Sequence, residues 1–218
     1  MNIKYHQQSL ALVNSQPDFS GETFPYLPAS VAEWYSLANS VKLLEKYSND
    51  DVPVYPAEFE ISRHNEQELA VFLYENQGVF WWAFEKSANE NPPVYINVDP
   101  PPDRWVLCCE KFSDFIFTRL FDFYHWRDFD LITMGFGKAL EIAVLDLLHS
   151  EYIPQPITYG GISDTQYRFS QQDQKIVIHD HGSKSSWYLS ADTSAGVRNL
   201  LEKFDDMLEG HIPEINSG

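Results

Sequence analysis

Two runs rich in β-branched and aromatic residues, Leu69 to Glu75 and Val79 to Glu85, flank Asn76-Gln77-Gly78, and no other stretch of the chain restricts its fold so tightly. A polar triplet ending in glycine between two such runs specifies a β-hairpin. Trp81 and Trp82 are neighbours on the second strand, where successive side chains point to opposite faces. One indole therefore enters the core while the other faces the opposite side of the sheet, either open to solvent or packed under a neighbouring helix. An outward tryptophan is a good anchor for a protein contact, and Trp82 is taken here as the candidate.

The segments around this hairpin read as helices and further strands. Leu27, Val31, Trp34, Ala38 and Val41 recur at helical spacing, with Pro28 suited to a first turn and Asn39-Ser40 placed to break the helix. Ala57 to Ile61, Pro93 to Val98 and Trp105 to Cys109 read as strands, the last leading into a helix from Phe112 to Tyr124. On that helix Phe117, Phe121 and Tyr124 widen an apolar face already formed by Phe112, Phe115, Ile116, Leu120 and Phe123. Such a helix lies between two layers, or offers Phe117 and Phe121 to a second copy. Phe136, Leu140, Ala143, Val144, Leu147 and Leu148 then follow a helical period. Strands are expected over Gln166–Ser170, Lys175–His179 and Ser186–Ser190. A last helix carries Val197, Leu200, Leu201, Phe204 and Leu208, with Asp192 or Thr193 as cap and Gly210 as stop.

The fold class these elements imply is α+β, a mostly antiparallel twisted sheet packed against helices. Residues 1–26, polar and interrupted by Pro17, Gly21 and Pro25, form an irregular lead-in; 27–128 form an α+β region; 129–218 add a helix–meander–helix region packed into the same unit. Both halves run helix, meander, helix, an order that fits a diverged duplication or simply a common α+β arrangement.

Charge narrows the classes of partner. With 15 Lys and Arg against 32 Asp and Glu, the net charge of -17 repels phosphate backbones and anionic lipid, so neither nucleic acid nor membrane is expected to bind directly. No stretch approaches the roughly 20 apolar residues of a membrane span, and Met1 to Leu12 lacks a basic region followed by an apolar run. The expected location is the cytoplasm. The adjacent Cys108 and Cys109 are expected as reduced thiols in a buried strand.

Chemistry is sparse. His179-Asp180-His181 puts two imidazoles on one face of a strand, but two ligands do not make a metal site. His125-Trp126-Arg127-Asp128 closes a helix, where a protonated histidine favours the negative terminus. Pro100 to Pro102 read as a rigid connector, and Gly135-Phe136-Gly137-Lys138 lacks the spacing of a phosphate loop. No catalytic motif and no cofactor site emerges, and the chain reads as a binding protein rather than an enzyme. Alternatives are a regulatory adaptor for an endogenous protein, or an enzyme built on His125, His179 or His181.

Leu27-Pro28-Ala29-Ser30 running into Trp34, and Trp105 to Cys109 running into Phe112-Ser113-Asp114-Phe115-Ile116, resemble the SUKH superfamily over about residues 24–125. In that family a Leu-Pro start opens the first helix, strands follow, and a strand leads into a Phe-rich helix. The Glu75 to Phe80 turn and Pro93-Val94-Tyr95 fit the same order, whereas Asn39-Ser40-Val41 stands where the family often has Asn-Gly-Gly. The resemblance implies a cytoplasmic immunity protein that neutralises a bacterial toxin, commonly a nuclease or deaminase, by direct binding. Acidic loops suit a basic toxin cleft, and Asp50, Asp51, Asp99 and Asp103, with Trp82, are the candidate partner contacts.

Overall fold

The structure is a computed structural model that describes residues 3–98, 104–128, 132–161 and 163–212; of 125–128, 132–133 and 209–212 it describes the backbone alone. The fold is α+β with antiparallel sheets. Where the sequence suggested one packed unit, the chain divides into two compact units, 1–123 and 124–218. The reason is visible in the second half, whose apolar residues close on one another around Phe169, Ile176, Trp187 and Phe204.

The N-terminal unit begins with helix α1 (Gln7–Leu12), which corrects the expected irregular lead-in. The carboxylate of Glu33 accepts hydrogen bonds from the backbone N–H groups of Lys4, Tyr5 and His6, at 2.7, 2.7 and 2.9 Å. The His6 N–H, at the N-cap, is a donor that a helix start leaves without an internal partner, and those of Lys4 and Tyr5 tie down the residues leading into it. Their acceptor lies 27 to 29 residues away, beyond the reach of local pattern reading. Helix α2 (Ala29–Ser36) starts after Pro28, and α3 (Ser40–Lys46) follows a break at 37–39. The break lets Leu37 bridge Phe19 and Ala38 donate to Asp18 O at 2.8 Å.

Strands β1 (Val52–Pro53), β2 (Glu60–His64), β3 (Gln67–Tyr74), β4 (Trp81–Glu85), β5 (Val94–Asn97) and β6 (Trp105–Cys109) make one sheet in which β3 to β6 are neighbours in chain order. Both β1 and β2 pair along the outer side of β3. The hairpin is formed as expected, with Val71 opposite Ala83 and Tyr74 opposite Trp81. Helix α4 (Phe112–Asp128) covers one face of this sheet. Phe72 meets Phe112 and Phe115 with ring centroids 5.1 and 5.5 Å apart, and Phe84 meets Phe112 at 5.8 Å. These four rings are at most 1% exposed, and burying each contributes about 1.5–3 kcal/mol. Phe117 and Phe121 are buried as well, which corrects their reading as an open dimer surface.

In the C-terminal unit β7 (Ile132–Lys138) precedes α5 (Ile142–Glu151), β8 (Ile153–Pro154) and β9 (Thr158–Tyr159). A meander follows, β10 (Thr165–Gln171), β11 (Gln174–Asp180) and β12 (Lys184–Ala191), then α6 (Ser194–Phe204) and β13 (Leu208–Ile212). The sheet order is β13-β7-β12-β11-β10-β8, with β9 also on β10. Phe136, read from sequence as the first position of a helix, lies instead in β7. Its four-residue spacing to Leu140 imitates a helix, while Gly135 and Gly137 mark a strand that two neighbours approach closely. A Cβ at Gly137 would stand 2.7 Å from Ser185 Oγ and 2.8 Å from Met207 O. Thr193 caps α6 as expected, its hydroxyl accepting from Gly196 N at 3.0 Å. Gly210 does not end that helix but pairs with Phe136 across β13 and β7.

Candidate functional site

Helix α4 takes the face of the N-terminal sheet that carries Phe72, Trp82 and Phe84, and the opposite face has a different character. There Leu69, Val71 and Ala83 form a floor on which Trp105, Tyr74, Trp81 and Tyr95 pack. Trp105 Nε1 donates to Ser62 Oγ at 3.1 Å, although β6 and β2 are the two outer strands of a five-strand span. A flat sheet would hold them roughly 19 Å apart. The sheet is therefore strongly curled, and this face lies on the inside of the curl. Tyr74 and Trp81 meet edge to face at 5.5 Å, and Tyr95 stands 5.8 Å from the His64 ring.

Trp81, Tyr74 and Tyr95 are half-buried, each with part of its ring open to solvent. Carboxylates stand beside them. The Tyr74 phenol is pushed up to about 12, first by burial and then by Glu60, whose carboxylate accepts its proton in a hydrogen bond. Burial likewise raises Tyr95, helped by the negative charges of Glu85 and Glu110. Both phenols stay neutral at physiological pH. Aromatic faces carry negative potential, so rings and carboxylates together form a surface suited to a positively charged group.

The candidate contacts chosen from sequence fall differently. Trp82 is buried against Phe115 under α4, so the outward tryptophan of the pair is Trp81. Asp51 is also buried, and its carboxylate pairs with Arg119. Trp82 and Asp51 thus converge on one guanidinium, which lies 4.8 Å over the Trp82 ring and 4.9 Å over Phe123. Burial pushes the Asp51 carboxyl up while Arg119 pulls it back down. Neither residue is open to a partner, and both are corrected to interior roles. Asp50 is exposed, with a left-handed φ of 57°. Asp99 and Asp103 lie outside the described residues, as do Pro100 to Pro102.

Sequence reading missed Tyr74, Trp81, Tyr95, Glu60 and Glu85. The signal that could have found part of this face is alternation along β4, where Trp82 and Phe84 meet the helix and Trp81, Ala83 and Glu85 point the other way. On β3 a bulge between Val71 and Leu73 puts Phe72 and Tyr74 on opposite faces, against simple alternation.

The other constellations do not assemble a reactive centre. His179 packs 5.0 Å from the Tyr188 ring, and His181 Nε2 lies 3.3 Å from Ser186 Oγ. Among the described residues no group of three or more His, Cys, Asp or Glu could hold a metal ion. The side chains of His125 to Asp128 are outside the description. Cys108 and Cys109 are buried free thiols. A recess in the C-terminal unit, lined by Lys138, Glu141, Ser185, Trp187 and Asp206, holds about 170 Å³, below the roughly 300 Å³ at which small-molecule sites begin. Among the described residues no helix is long and apolar enough to cross a membrane. Comparison of the chain with protein-family models, with curated proteins and with solved structures gives no match.

Proposed function

We propose that this chain is a protein-binding module of the immunity type, which neutralises a bacterial toxin in the cytoplasm by direct binding and performs no catalysis of its own. The observation that carries the reading is the curled face of the N-terminal sheet, where Trp81, Tyr74 and Tyr95 stand beside Glu60, Glu85 and Glu110. Large, rigid aromatic side chains anchored on a strand are the side chains that dominate protein interfaces. A chain of net charge -17 also steers a basic partner toward itself over a distance. The resemblance of residues 24–125 to the SUKH superfamily supplies the toxin as the partner class.

The test is calorimetric titration of the full chain with the toxin domain encoded beside it. Tight, salt-sensitive binding is expected, weakened by about 30-fold or more in Trp81→Ala and little changed in Trp81→Phe. A toxin that stays fully active under a molar excess of the chain removes the immunity reading. A basic housekeeping protein captured in its place, still dependent on Trp81, would make the module an adaptor that uses the same face.

A further inference from the structure

Five cations of the N-terminal unit form ion pairs with carboxylates other than those beside the aromatic face. Lys4 pairs with Glu90, Arg63 and Lys86 with Glu68, Lys111 with Asp114, and Arg119 with Asp51. Among the described residues none of Glu60, Glu85 and Glu110 forms an ion pair, although all three stand by the aromatic face. Gln67, a neutral donor, is what reaches Glu85, at 3.3 Å. The curled face therefore carries uncompensated negative charge over rings whose own potential is negative.

The covered side of the same sheet shows what this chemistry accepts. Arg119 lies over the Trp82 indole at 4.8 Å while its guanidinium pairs with the Asp51 carboxylate. A planar guanidinium is weakly hydrated, stacks on aromatic rings and takes a carboxylate along its edge, three properties that a lysine ammonium does not combine. Trp81, one residue before Trp82 and on the opposite face, has Tyr74 against it and Glu60 beside Tyr74, but no guanidinium of this chain over it among the described residues.

We infer that the curled face takes arginine side chains from a basic segment of the partner protein, stacked on Trp81, Tyr74 and Tyr95 and paired with Glu60 and Glu85. The partner's arginine repeats on the open face the arrangement that Arg119 makes on the covered one. This assignment rests on the protein-binding reading above and adds the chemistry of what is bound.

The probe is a hexa-arginine peptide, with hexa-lysine and hexa-glutamate as comparisons, added to the full isotopically labelled chain. Hexa-arginine is expected to shift the Trp81 indole resonance, to bind more tightly than hexa-lysine and to weaken steadily with salt, while hexa-glutamate gives no shift. Trp81→Ala should reduce the affinity about tenfold. Glu85→Gln, which keeps the side-chain shape, should reduce it severalfold, so the test survives if the tryptophan variant folds poorly. A shift confined to other resonances, or an affinity unchanged in both variants, overturns the site. Toxin binding that needs Trp81 but is insensitive to salt, with hexa-arginine silent, overturns the arginine assignment and leaves the docking face standing. Hexa-arginine bound at Trp81 with toxin binding unaffected by Trp81→Ala does the reverse.

Discussion

The two units bury polar groups in different ways. The N-terminal one encloses a neutral imidazole, His6, and an Asp51–Arg119 ion pair, and it fastens its first helix through a distant carboxylate, Glu33. The C-terminal one packs an apolar cluster between its sheet and helices α5 and α6. It buries a charge too, in Arg168, but that guanidinium is met by Gln166 Oε1 at 2.8 Å and by the carbonyls of Pro156 and Gln166, neutral groups within a few residues or on the neighbouring segment. The first unit should therefore answer to changes of charge, the second to changes of shape.

The sharpest way to break this contrast is Asp51→Asn. It keeps the shape but leaves Arg119 in a largely buried setting without its counter-charge, and a loss of about 3–5 kcal/mol is expected. Asp51 Oδ1 and Arg119 Nε already lack hydrogen-bond partners, so the pair Asp51→Leu with Arg119→Met should recover most of that loss. Denaturant unfolding of the single and double variants checks both outcomes. A double variant as unstable as Asp51→Asn would show that the guanidinium stack over Trp82, rather than charge balance, holds this region.

Acid should act next most strongly, and on the N-terminal unit first. His6 is fully buried, donates from Nε2 to Ser30 O at 2.9 Å and lies against the Trp34 and Phe112 rings. Burial pushes its pKa from 6.5 down to about 4, opposed by the Ser30 carbonyl and the Glu33 charge. The unfolded chain thus takes up a proton near pH 6.5 that the folded chain refuses until about pH 4. Stability is whole above that window and falls as pH drops through it, by up to about 3 kcal/mol. Hydrogen exchange measured between pH 7 and 4 should show the amides of α1 and α2 losing protection before those of β10 to β12. Equal loss in both units would refute the assignment to His6.

A shape change should strike the other unit. Gly137→Ala forces a methyl group against Met207 O and Ser185 Oγ, of which the first is backbone and cannot swing aside. Overpacking of this kind costs about 1–3 kcal/mol. The expected result is a lower melting temperature, with exchange protection lost in β7, β12 and β13 and kept in β3 and β4.

What could be read from sequence divides differently, between local and remote contacts in both units. The hairpin at 76–78, the meander of β10 to β12 and the Thr193 cap are local events, each specified by residues within a few positions of one another. Strand β7 was hidden because its partners, β12 and β13, lie about 50 and 75 residues on and its Phe136 imitates a helical period. Helix α1 was hidden for the same kind of reason, with Glu33 as its remote acceptor. At the candidate site, alternation placed Trp81 and Trp82 on opposite faces, but only the position of α4 decides which of them is covered. Asp51 was chosen as an acid in a polar loop, and its burial follows from Arg119, 68 residues away.

The hydrogen bond from Trp105 to Ser62 bears on self-assembly. Strands at the rim of a sheet offer unpaired backbone groups to any other chain that can lie alongside, and proteins guard them against fibril-like growth. Here a side chain from one rim strand clasps the other, and the curl that it holds turns the two rims toward each other. The clasp leaves those rims less open to a strand from another chain.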